Sequence, residues 1–171
     1  MDLEMIRNGI VLDLHNYVQK PIVMFNHNAP KPHYPYITYN FALPYNQNGE
    51  NSVCKSKLAE SEDPSFEFDI LETRTKHVLI TMSIDSYSMN ALEAHNLAKK
   101  AYDWFRHVGY TNLKNLNLVV QSIEGFAERD TLIVGDYERR VGFDIILRTT
   151  DTIERRIETI EEYKIEEELV I

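Results

Sequence analysis

The segment DYERRVGFDIILRTTD, residues 136–151, sets Asp136, Glu138, Arg139 and Arg140 among its first five positions. Adjacent guanidinium groups beside carboxylates can clamp a phosphate or a carboxylate substrate through paired hydrogen bonds. The plainer reading is a salt-bridge ladder at the start of a strand, made across strands or between subunits. Histidine offers a second chemistry. His27 and His33 flank a proline-rich stretch and could ligate a metal together with Asp69 or Asp85. The six histidines are His15, His27, His33, His77, His95 and His107, and no two fall three or four residues apart. Surface histidines in a loop are the simpler account. No HExxH, GxSxG, GxGxxG or phosphate-loop pattern occurs, and the six glycines are scattered singly. Carboxylates are plentiful, so any two could be named as an acid/base pair, but no spacing selects one. Accordingly no catalytic, cofactor-binding or metal-binding residue is assigned, no cofactor is expected, and an enzyme is not.

Aromatic residues are more informative. The stretch HYPYITYNFALPY holds Tyr34, Tyr36, Tyr39, Phe41 and Tyr45 within twelve residues. They can pack the core where a strand joins its sheet, or form a rigid contact patch, because tyrosine supplies area at low entropic cost. Trp104 and Phe105 fall on the buried stripe of a helix and read as core.

Those residues must be held by regular elements. Leu3, Ile6, Ile10, Leu14, Tyr17 and Val18 recur at three- and four-residue spacing, which predicts an amphipathic helix over 3–18 with Asp2 as N-cap and Pro21 beyond its end. PIVMFN can form a short strand. HNAPKPHYPY, with three prolines, reads as an extended connector feeding a strand over 36–43. Residues 44–65 are polar and rich in turn formers, and predict a long flexible loop. FEFDILETR and KHVLITMSIDSYS follow as one long strand or a hairpin; Val78, Ile80, Met82 and Ile84 alternate cleanly. A second helix carries Ala94, Leu97, Ala98, Ala101, Trp104, Phe105 and Val108 as its buried stripe. Asn90 and Glu93 form a capping box before it, and Gly109 is placed to stop it. NLNLVVQSIEGF and RRVGFDIILRTT read as two strands; in the second, Val141, Phe143, Ile145 and Leu147 share a side. IERRIETIEEYKIEEELVI fits either a helix or an edge strand. The order predicts an α+β fold, a mainly antiparallel sheet with two amphipathic helices packed on one face. The domain reading is one domain over 1–150 with a loop at 44–65, then an acidic C-terminal arm at 151–171.

At 171 residues the chain is long enough to bury about two-thirds of its surface without staples. One cysteine, Cys54, excludes an internal disulfide and reads as a plain loop thiol. No run approaches a membrane span, and the acidic N-terminal stretch does not resemble a signal peptide, so synthesis in a reducing cytoplasm is expected. The net charge of −9 argues against binding nucleic acid by neutralising phosphates. Residues 151–171 hold eight acids against three bases, a balance of −5 and more than half of the total. Such a run usually makes a solvated face or a tail.

Taken in order, PKPHYPYITY, a strand ending in SIDSYS, the helix ALEAHNLAKKAYDWFRHVG and the segment NLNLVVQSIEGFAERDTLIVGDYERRVGFDIILRTTDTIERRIETI resemble the tailed-bacteriophage neck or tail terminator family, also called tail-completion or head–tail joining proteins. The resemblance covers about residues 3–160. It implies a tail-terminator-like fold and a structural virion protein at the neck, made in the host cytoplasm. It further implies a ring of copies, usually a homohexamer, that caps the tail tube. The implied partners are other copies of the chain, a connector or adaptor protein on the head side and the tail tube protein on the other, with DNA passing through without specific binding. On this reading Tyr34, Tyr36, Glu138, Arg139 and Arg140 are candidates for the subunit interface. Glu161, Glu162, Glu166, Glu167 and Glu168 would line the lumen or lie along a neighbouring subunit. The competing readings are a small enzyme, a monomeric module gripping a ligand or peptide through its aromatic connector, and another tail or baseplate structural protein.

Overall fold

The computed structural model describes residues 1–158 except 27, 48, 50, 65, 134 and 135, and the backbone alone of 133, 136 and 137. The chain divides into two compact units. The larger comprises Met1–Gly49 with His77–Thr150, and the smaller is built from the segments 50–76 and 151 onward.

In the larger unit, helix α1 (Leu3–Val18) starts where the Asp2 carboxylate accepts the amides of Glu4 and Met5, at 2.9 and 3.1 Å. It ends at Gln19, which adopts the left-handed conformation at φ 59°. Ile6, Ile10, Leu14 and Val18 are its buried stripe. Helix α2 (Ala91–Asp103) is capped by the Asn90 side chain, which accepts the amides of Leu92 and Glu93. The other half of the box is relayed: Glu93 accepts from the Ser88 hydroxyl, which in turn accepts the Asn90 amide at 3.1 Å.

The end of α2 differs from the sequence reading. Trp104–Val108 form one π-helical turn, followed by helix α3 (Tyr110–Asn115). The wider turn rotates Val108 off the buried stripe to half exposure, while Trp104 and Phe105 stay buried. Gly109 is not a left-handed cap, its φ being −78°. Its role is closeness, because a β-carbon there would sit 2.5 Å from the Trp104 ring. Trp104 donates its indole N–H to Asp13 on α1 at 3.1 Å.

The sheet of this unit runs β1 (Ile22–Met24), β2 (Tyr36–Gln47), β4 (Phe68–Ser88), β7 (Asp136–Glu158), β5 (Val119–Glu128), with β6 (Thr131–Ile133) also paired to β7. β1 and β2 are parallel; β2–β4, β5–β7 and β6–β7 are antiparallel. One apolar cluster joins Ile6, Ile10 and Leu14 of α1 and Leu97 and Ala101 of α2 to Ile80, Met82 and Ile84 of β4 and Phe143, Ile145 and Leu147 of β7. Each of the larger side chains removed from water contributes about 2 kcal/mol, and the clean alternation follows from the two-residue period of a strand with one face on the core.

β4 and β7 both continue into the smaller unit. There β3 (Val53–Glu60) pairs antiparallel with β4, from Val53 opposite Thr75 to Glu60 opposite Phe68. The stretch read as a loop therefore contains a strand. All of β3 but Ala59 is exposed, so no apolar alternation marks it in the sequence. Residues 151–158, of which the sequence left 153 onward ambiguous, are strand. Ion pairs join them to β4 and its approach: Arg155 to Glu72 at 2.6 Å, and Arg156 to Asp69 and Glu62 at 3.4 and 3.1 Å.

Candidate functional site

The start of β7 supplies Glu138, Arg139 and Arg140, and the larger unit surrounds them with partners from four directions. Glu138 is 9% exposed, and its Oε1 accepts from Lys31 and Tyr34, both in the proline-rich connector, and from Tyr36 Oη at 3.5 Å. Lys31 also donates to the Tyr34 hydroxyl at 2.7 Å. Tyr36 stacks on Tyr87 of β4 with ring centres 4.9 Å apart, a contact set by the register that places the two residues opposite each other. Burial and the nearby Glu138 charge push the Tyr36 hydroxyl above its usual range. Burial works against the Lys31 charge, but hydrogen bonds to Glu138 and Tyr34 outweigh it and raise its pKa.

The two arginines turn to other partners. Arg140 reaches Asp85 at 2.6 Å, and its guanidinium lies 5.5 Å from the Tyr87 ring centre and 5.7 Å from that of Phe25. Asp85 is 4% exposed and also accepts from Arg129 at 3.2 Å; Arg129 bridges on to Asp144 at 3.0 Å. Arg139 pairs with Asp130 at 2.7 Å, and the same carboxylate accepts the Arg140 amide at 2.8 Å. That backbone hydrogen bond, then the one from Arg139, lowers the Asp130 pKa. Gly142 makes room for the network, since a β-carbon there would lie 1.9 Å from Asp85 Oδ1.

A shallow cleft of about 250 Å³ borders the cluster, lined by Val23, Phe25, Lys31, Tyr36, Tyr87 and Glu138 among others. Chemically the arrangement is a set of matched charges. Each carboxylate faces a cation, and the arginines that might clamp a substrate already hold Asp85, Asp130 and Asp144.

Of the residues singled out in sequence, Tyr34, Tyr36 and Glu138 thus meet in one cluster, and Arg139 and Arg140 join two adjoining ion pairs. Lys31, Arg129 and Asp130 were not singled out, and Asp85 was named only as a possible metal ligand. Lys31 sits between prolines, and Asp85 stands where the alternation of β4 gives way to small polar residues, the only hint that its face is filled by charge. His27 lies outside the described residues. Asp69 and Asp85, its proposed metal partners, are held by arginines, and among the described residues no group of three or more His, Cys, Asp or Glu is placed to hold a metal. Glu161, Glu162, Glu166, Glu167 and Glu168 also lie outside the described residues. Among those described, no helix is long and apolar enough to cross a membrane.

A family model described as phage neck terminator protein matches residues 8–169. The chain belongs to the phage neck terminator family and is a structural protein of the phage neck. The match extends beyond residue 160, where the resemblance drawn from the sequence stopped. A search among curated proteins finds no match.

Proposed function

We propose that the protein assembles as a ring, six-fold in the pattern its resemblance implies, at the head–tail junction, where it caps the tail tube and joins it to the connector. The observation that carries this reading is the neck terminator match over residues 8–169, nearly the whole chain. The shared core of α1, α2, β4 and β7 supports a tail-terminator-like fold with both helices layered on one face of the sheet. A ring needs a head-to-tail contact that closes by rotation. β1 and β5 stand at opposite ends of the strand order in the larger unit, and two different edges are what such a contact requires. Tyr34 and Arg139, both part-exposed, would face the neighbour. Tyr36, Glu138 and Arg140 would hold the edge of that surface in place. The net charge of −9 suits a ring that DNA traverses without being held.

A symmetry-averaged reconstruction of the virion neck tests this. A closed ring of six copies between connector and tube is the expected result. Copies at the baseplate, or a single copy without ring symmetry, would overturn it.

A further inference from the structure

A groove of about 360 Å³ opens beside the first residues of β5. Its floor is apolar: Phe105, Leu113 and Leu118 are each at most 3% exposed. Its rim carries Arg106, Lys114 and the ring of Tyr110, which is 68% exposed. Among the described residues, neither Arg106 nor Lys114 makes an ion pair. β5 ends the strand order, and among the described strands it pairs with β7 alone. Its other edge can therefore take a further strand. The groove thus joins an apolar floor, two uncompensated cations and an open strand edge.

The sequence TIEEYKIEEELVI, residues 159–171, has the complementary chemistry. It carries five glutamates against one lysine. Its alternation would put Tyr163, Ile165, Leu169 and Ile171 on one side of an extended chain, with Glu161 and Glu167 among them, and Glu162, Lys164, Glu166 and Glu168 on the other, flanked by Ile160 and Val170. We infer that this groove receives residues 159–171 of a second copy, which add as a strand to β5. The apolar side chains cover Tyr110 and Val119, which are 68% and 54% exposed above the buried floor, and the carboxylates meet Arg106 and Lys114. The inference rests on the ring reading. A segment kept in its own groove would link nothing, whereas a donated one joins each copy to the next head to tail.

Disulfide trapping in phage particles tests it. The full chain carries Cys54→Ser, which removes the one exposed native thiol, with Val119→Cys on the edge of β5 and Leu169→Cys in the donated segment. After oxidation, denaturing gels should show covalent multimers of the chain. Multimers extending to the full ring size support both readings. A ladder that stops at dimers supports the docking but contradicts the ring. A disulfide within single chains, or none, overturns the docking, while a six-fold neck reconstruction would leave the ring standing. A charge exchange covers the case in which the cysteine variant yields no particles. Arg106→Glu with Lys114→Glu should lower infectious particle yield by about tenfold or more, and Glu166→Lys with Glu168→Lys in the same chain should restore it. Loss without restoration overturns the docking.

Discussion

At the scale of single residues, the cluster around Glu138 is decided by the cost of unpaired buried polar groups. Lys31, Tyr34 and Tyr36 all donate to one carboxylate that is 9% exposed. Replacing it with alanine removes the acceptor shared by three donors, of which the buried Tyr36 hydroxyl is the one left furthest from water, and Glu138→Ala should lose about 2 kcal/mol of unfolding free energy in urea titrations. Glu138→Gln, which still accepts, should lose less. Equal midpoints for wild type and the alanine variant would show that the cluster contributes nothing. Asp130 makes a prediction about pH. Its folded pKa is depressed, first by the Arg140 amide and then by Arg139. A depressed acid stabilises the fold above its unfolded pKa of about 3.9 and loses that contribution as pH falls through the folded value. Thermal unfolding of Asp130→Asn should thus lie furthest below wild type near neutrality, with the gap closing below about pH 4. A gap that widens on acidification would contradict the assignment.

Elements are where glycine and strand pairing matter. β7 passes β4 so closely at Gly142 that a methyl group would meet the Asp85 carboxylate and the Ile84 carbonyl oxygen, at 1.9 and 2.8 Å. Neither can withdraw cheaply, because Asp85 is fixed by Arg129 and Arg140. Gly142→Ala should therefore destabilise the protein by about 2 kcal/mol or more, read as a lower urea midpoint; an unchanged midpoint would mean that the strands can separate there. The elements also show what a sequence reveals. α1 was legible because its apolar residues repeat with the period of a helix against a sheet. β4 and β7 were legible because their core halves alternate. β3 was not, since a strand exposed along nearly its whole length has no reason to alternate. The π-helical turn was hidden because Val108 keeps the helical spacing even though the widened turn takes it off the stripe. The candidate site was half legible. The charges of β7 stood out, but the partners of Asp85 lie 44 and 55 residues away along the chain, and only the sheet brings them together.

For the whole molecule, charge and chemistry agree with the family. The acidic surplus is concentrated after residue 150, and in the ionic cluster of the larger unit Glu138, Asp85, Asp130 and Asp144 each face a cation. The larger unit also presents two strand edges, at β1 and β5, and a basic-rimmed groove, which we infer receives the acidic segment of a second copy. These are the parts from which copies of one chain can build a closed assembly, and a neck protein acts by being present in that assembly. The most direct measurement is electron microscopy of lysates from the parent phage with this gene disrupted. The account predicts DNA-filled heads and separate, unjoined tails, with irregular tail lengths where the cap is missing. Normal, infectious virions in that lysate would contradict it.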